Sequence, residues 1–309
     1  MNLKVRKKLR HLNRYIPLYL MMLPGVIYII INNYIPMLGL RIAFKQYNYT
    51  KGISASKFVG FKNFEFLFKT KDAFVITRNT LCYNAAFIIL GTVLAIAVAI
   101  LLNDIKAVRL KKIYQTIILI PFLISMVVVS YLAYAFLSSD SGFINNSILI
   151  PLGIKPVPWY SSPKYWPFIL TIVHLWKGFG YTSIIYFATL AGIDKGYFEA
   201  AAIDGASRWQ QIKHVTLPCL KPTIITLTLM SIGRIFYSDF GLFYQVPLNS
   251  GLLIDVTNTI DTYVYRGLIT LNNVSMASAA GFYQSVVGFI LVLTANFVVK
   301  KLSEENALF

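Results

Sequence analysis

The sequence predicts an all-α integral membrane protein with six transmembrane helices. Composition is the first observation: 57% of the 309 residues are hydrophobic and 13% are charged, with a mean hydropathy of +0.62. A soluble chain carries roughly a quarter charged residues, so much of this one is not solvated by water. The second is a set of apolar runs near the roughly 20 residues that a helix needs to cross a hydrocarbon core. Runs this continuous must be helical, because lipid offers no partner for an unpaired backbone N–H or C=O. Strands of a barrel would instead alternate over about ten residues. The third is where the charge lies. The net charge is +17, but the basic residues gather at span ends, as in cytoplasmic loops. No aromatic-interleaved basic domain suited to nucleic acid is present.

The basic segment 1–14, with Lys4, Arg6, Lys7, Lys8, Arg10 and Arg14, leads into a first span at about 15–35. Pro17 and Pro24 interrupt its apolar stretch and no small-residue cleavage site follows, so it reads as an uncleaved span rather than a signal peptide. The outer segment 41–72 contains "FVGFKNFEFLF", an amphipathic aromatic stretch expected to lie along the interface rather than cross it. The second span, 79–102, ends before the basic group Lys106, Arg109, Lys111 and Lys112, and the third covers 113–137. Residues 138–166 form a loop rich in Pro, Gly and Ser, anchored at the headgroups by Trp159, Tyr160, Tyr165 and Trp166. The fourth, fifth and sixth spans are expected at 167–193, 223–246 and 279–299, with the polar "VTNTIDTYVYRG" between the last two.

With both termini inside, Lys and Arg outside the spans divide sixteen to eleven in favour of the cytoplasm. The chain then reads as a cytoplasmic segment 1–14, a membrane domain 15–300 with a cytoplasmic loop at 194–222, and a cytoplasmic tail 301–309. Cys82 and Cys219 fall at opposite faces of the bilayer, too far apart for a disulfide. His11, His174 and His214 are scattered and offer no metal-ligand spacing.

The cytoplasmic loop carries "EAAAIDGASRWQQIKHVTLP" at residues 199–218. Glu199 and the alanines after it favour a helix. Gly205 breaks it, and Asp204 or Ser207 caps a second helix over about 207–215. Trp209 and Ile212 fall along one side of that helix. Leu217-Pro218 and then Pro222 are expected to stop it and redirect the chain into the fifth span. The product is a bent elbow against the membrane with Trp209 as an apolar knob, suited to a groove in a cytoplasmic partner. Composition alone favours an ordinary re-entry loop between two spans.

The spacing decides between them. Glu199-Ala200-Ala201, three residues, Gly205, nine residues, Val215, one residue, Leu217-Pro218 resembles the signature loop of ABC importer permeases. Val215 is the one departure, where the family usually has Ile. That resemblance implies the type I importer permease (MetI-like) fold. It also implies that the elbow is a coupling helix seated in a cytoplasmic ATPase, with Glu199, Ala200, Ala201, Asp204, Gly205, Trp209, Ile212, Leu217 and Pro218 in the coupling segment. The chain has no G-x-x-x-x-G-K-[ST] phosphate loop, so ATP and Mg are expected on partner subunits, and the chain is expected to be no enzyme by itself. "FVGFKNFEFLF", "RNT" and "DTYVYRG" further resemble carbohydrate-uptake permeases of the LplB-like branch. From that branch follow a second permease subunit, two ATPase subunits, an extracellular solute-binding protein and a bacterial plasma membrane. The cargo implied is a carbohydrate, an oligosaccharide.

Ionisable residues inside spans mark paths or sites. His174, Lys177 and Tyr181 share a face of the fourth span, and Arg234, Ser238, Gly241 and Gln245 are expected to share one on the fifth. At 1.5 Å per residue, Lys177 and Arg234 each lie about 15 Å deep. Trp176, Tyr181, Tyr237 and Tyr244 supply the aromatic faces that a sugar needs. Asp239 is about 140° around a regular helix from Arg234, so the two need not pair. Lys177 and Arg234 are expected to line the translocation path, with bonds to partner helices or a gating role as the alternatives. A permease for another polar solute, a stand-alone secondary transporter and a membrane enzyme are the competing functions. A secondary transporter would often show inverted repeats with broken helices, which the sequence does not display. An enzyme lacks a His/Asp/Glu or Ser/His constellation here.

Overall fold

The computed structural model describes residues 3–302. The expected tail from residue 303 onward, and the basic side chains before Tyr15, lie outside the described residues. Among the described residues, five helical runs are long and apolar enough to cross a membrane, or six where a bent pair counts as one span. α1 (Leu3–Ile29) carries Pro17 and Pro24 inside one helix. Breaking it there would strand backbone groups in lipid, which outweighs the loss of two N–H donors. The run continues through a π-turn at Ile30–Tyr34 to Phe44. Beyond it, β1 (Lys45–Gln46) pairs antiparallel with β2 (Lys57–Phe58).

α2 (Lys71–Asp104) starts eight residues before the expected second span and packs along α5 (Trp166–Ala191). Ala95 and Ala99 of α2 are fully buried against Tyr186 and Leu190, since small residues let membrane helices approach. The third span is not one helix. α3 (Val108–Leu123) and α4 (Met126–Leu137) meet at 94°. Pro121 lies in the last turn of α3, and Ser125 starts α4 by accepting the Val128 N–H at 3.4 Å.

The elbow is α6 (Lys195–Ile203) and α7 (Arg208–Gln211). The expected stop at Leu217-Pro218 does not occur. A π-turn at Ile212–Thr216 joins α7 directly to α8 (Leu217–Ile232), with Pro218 in its first turn and Pro222 inside it. The widened turn, closed by Leu217 N–H on the Ile212 carbonyl, gives room to a ring that would otherwise clash with the carbonyl four residues back.

The fifth span also departs from expectation. α8 ends at Ile232, residues 234–239 are irregular, and a π-turn follows at Gly241–Gln245. The sequence reading that saw no broken helices is therefore corrected: two of the spans are broken. α9 (Ile260–Ile269) and α10 (Val274–Leu302) complete the described residues. The main core sits where both breaks meet α2 and α5: Tyr83, Phe87, Val129, Trp166, Leu170 and Phe243 are all buried there.

Candidate functional site

The elbow is locally over-determined. Asp194 opens α6 by accepting the Gly196 N–H at 2.9 Å. At its end the Ala206 and Gly205 N–H groups reach back to the Ala201 and Ala202 carbonyls at 2.9 and 3.1 Å, with Gly205 at φ +77°. That is a Schellman close, in which glycine takes the left-handed residue at least cost. Of the two caps the sequence allowed, Ser207 is the one used. It accepts the Gln210 N–H at 3.4 Å while Gln210 Oε1 accepts the Ser207 N–H at 2.6 Å, a capping box. Arg208 pairs with Asp104 at the C-terminal end of α2. Neither α6 nor α7 contributes a buried residue. Ile203 is 87% exposed and Trp209 71%, so two large apolar side chains stand on the bend with none of the described residues over them. Glu199, Ala200, Asp204 and Gly205 are exposed, and Ala201 and Ile212 half-buried. Leu217 and Pro218 lie not on the bend but in the helix that enters the membrane.

A second feature is a cavity of about 320 Å³ between α2, α5 and the break after α8. His174, Arg234, Tyr237 and Asp239 line it, with Asn84, Thr92, Thr182 and Ser231 adding amide and hydroxyl groups. The His174 ring lies flat on Phe87, centroids 3.7 Å apart. Among the described residues the Arg234 guanidinium has no hydrogen-bond or ion-pair partner, and Asp239 pairs with no cation; its Oδ1 accepts the Leu242 N–H at 3.2 Å. A cleft that sets charged, hydroxyl and amide groups beside aromatic rings is a place where a polar, ring-shaped solute can be held.

Polar side chains hold the break itself open. Asn84 Nδ2 donates to the Ile235 and Tyr237 carbonyls at 2.8 and 3.0 Å. Gln284 Nε2 donates to the Phe236 carbonyl at 2.7 Å. Asp261 Oδ2 accepts from the Ser238 N–H and Oγ–H at 2.7 and 2.8 Å. Irregular backbone at membrane depth needs such partners.

Several expected path residues are elsewhere. Because α8 ends at Ile232, Arg234, Ser238, Gly241 and Gln245 share no helical face; Ser238 is bound to Asp261, and Gln245 lies in the π-turn outside the cavity. Lys177 points away from the cavity and donates to the carbonyls of Pro121, Phe122 and Ile124 at 3.3, 3.0 and 2.6 Å. Tyr181 stacks on Phe122 at 4.8 Å. Trp176 lines a separate apolar groove with Phe136 and Ile172. Tyr244 packs with Phe240 and Tyr265 beneath Arg266. The sequence reading missed Asn84, Asp261 and Gln284. A lone amide in each of "YNAAFIIL" and "FYQSVVGF" was the available signal.

Residues 88–304 match the family described as binding-protein-dependent transport system inner membrane component. The chain belongs to this family. The permease is 34% identical to the LplB protein of Bacillus subtilis (strain 168) over 289 residues, 94% of this chain and 90% of that one. It is 35% identical to the polygalacturonan/rhamnogalacturonan transport system permease YteP of the same organism, covering 94% and 89%. The fold superposes on a subunit of a bacterial ABC transporter involved in import of the acidic polysaccharide alginate, with a TM-score of 0.87 and 32% identity, covering 96% of this chain and 99% of that one. A second structure, of the alginate transporter with an alginate pentasaccharide-bound periplasmic protein, gives 0.86 over 95% and 97%. The permease is thus a multi-pass inner membrane component of the type I importer fold.

Proposed function

We propose that this permease forms half of the translocation pathway of an ABC importer for a carbohydrate, an oligosaccharide, driven by ATP hydrolysis in a separate subunit. The observation that carries the proposal is the elbow: a capped bend presenting Ile203 and Trp209 to the cytoplasm is a part made to be gripped. One of two ATPase subunits, which carry the ATP and Mg, would hold it through Glu199, Ala200, Ala201, Gly205 and Trp209, so that the chain itself performs no catalysis. Both termini lie in the cytoplasm, a second permease subunit closes the path, and an extracellular binding protein delivers the sugar. The names of the relatives, which specify arabino-oligosaccharide, lactose and trehalose/maltose systems among others, support the substrate class. The cavity at Arg234 and His174 is the passage point on this reading.

Replacing Trp209 by Ala tests the elbow. The folded chain should persist, because the ring is largely exposed, while co-purification of the ATPase subunits and sugar-stimulated ATP hydrolysis fall together. Wild-type stimulation in that variant would end the proposal.

A further inference from the structure

The segment between the first two spans breaks the charge rule of the rest of the chain. Residues 41–78 hold eight Lys and Arg against Glu65 and Asp72, on the side that the positive-inside bias would deplete. Lys69 pairs with Glu65 at 2.7 Å and holds that carboxyl below the usual carboxylate range. The Lys45 ammonium is spent on the carbonyls of Ile53 and Ser54. The Lys57, Lys62 and Lys71 ammonium groups are exposed and make no hydrogen bond or ion pair among the described residues, although the Lys62 charge also helps to lower the Glu65 carboxyl. Between them stand Phe58, Phe61 and Phe68, which are 68%, 74% and 85% exposed.

Depth decides what faces these rings and ammonium groups. Phe64 is buried with Ala43 and Ala279, and its ring meets Phe282 at 5.8 Å. Ala279 and Phe282 lie five and eight residues into α10, about 8 and 12 Å along the helix from its outer end. Asn63 Nδ2 fixes the same segment to the Ala43 and Lys45 carbonyls at 2.9 and 2.8 Å. The segment is therefore clamped down beside the last span, level with the headgroups, rather than raised into water where a soluble protein would meet it. Exposed rings interleaved with free ammonium groups at that level match an acyl boundary below and phosphates above.

We propose that residues 57–71 form a foot that binds anionic phospholipid in the outer leaflet. The choice of leaflet rests on the orientation proposed above, whereas lipid retention by the purified protein does not, so the two fail separately. The test is to purify the permease with its partner subunits in mild detergent after exchange into nanodiscs of phosphatidylcholine and phosphatidylglycerol, and to weigh the retained lipids by mass spectrometry. Wild type should retain phosphatidylglycerol over phosphatidylcholine. The triple variant Lys57→Gln, Lys62→Gln, Lys71→Gln should lose that preference roughly fivefold or more, given what one basic residue near an anionic surface contributes. The matching Lys→Arg triple should keep it, and each single Gln variant should show part of the loss, which guards against failed assembly. An unchanged lipid ratio in the Gln variants overturns the proposal. So does a variant that keeps its lipid but loses affinity for the binding protein in lipid-free detergent, since the surface then belongs to an acidic protein.

Discussion

Lys177 and Arg234 looked alike in the sequence, two cations about 15 Å into the bilayer, and the structure separates them by what each touches. Lys177 bonds three carbonyls at the break that follows Pro121; the Arg234 guanidinium faces a cavity and bonds nothing of this chain among the described residues. Their substitutions should therefore move different observables. Lys177→Met takes the donor from the Phe122 and Ile124 carbonyls, while the Pro121 carbonyl keeps the Ile124 N–H at 3.3 Å, and should cost about 2–4 kcal/mol of stability, read as a fall of several degrees in the thermal unfolding of the solubilised protein. Lys177→Arg should recover part of it. Arg234→Met should leave unfolding nearly unchanged while sugar uptake falls about tenfold or more, the loss of one charge-assisted hydrogen bond to the solute. Equal thermal losses from both would show that Arg234 has a structural partner and that the cavity reading is wrong. What the sequence displayed was the presence of intramembrane cations. It did not display the Pro121 break that one of them mends, because a proline in an apolar run can equally ride inside a helix, as Pro17 and Pro24 do.

Among the elements, the elbow was the most legible because its rules are local. A glycine after four helix formers, then Ser207 with Gln210 three residues on, spells a left-handed close and a capping box without help from tertiary contacts. The continuation into α8 was not legible, since a rule that proline ends a helix is overruled when one widened turn absorbs the ring. The fifth span was misjudged for a related reason. Asn84, Asp261 and Gln284, distant in sequence, satisfy the backbone of residues 235–238, and hydropathy sees only a continuous run. The elbow's geometry sets a prediction at this scale. Gly205→Val places a branched side chain at φ +77°, at a cost of about 1–2 kcal/mol, and Ser207→Ala removes a cap worth about 1 kcal/mol. Both sites are solvent-exposed, so the chain should still reach the membrane in normal amount. Transport should fall further with Gly205→Val than with Ser207→Ala, because the first re-aims the bend and the second only frays it. Measuring uptake against membrane-inserted protein for the two variants checks the order; equal, wild-type uptake would mean that the bend's direction does not matter.

At the scale of the whole molecule, exposed apolar surface demands no partner, because lipid covers it as well as another helix would. The first span, which buries none of its most apolar stretch in the chain, is in that sense undecided. Exposed charge is different. Arg234, Asp239 and Tyr237 are exposed at the break in the fifth span, and a charged side chain at the bilayer centre costs about 3 kcal/mol on insertion scales. On the proposed reading a single copy of the chain presents half of a polar passage to hydrocarbon, and a second subunit that closes the passage would remove the penalty. The chain expressed without its partner should accordingly be degraded, and co-expression with the second permease should restore it. Arg234→Met with Asp239→Asn should raise the level of the lone chain several-fold, since it removes both charges, while leaving the co-expressed level unchanged and abolishing uptake. Immunoblots of membranes with and without the partner read the difference directly. If the lone wild-type chain is as abundant as the double variant, the charges are already solvated within one copy, and the passage is not shared between two subunits.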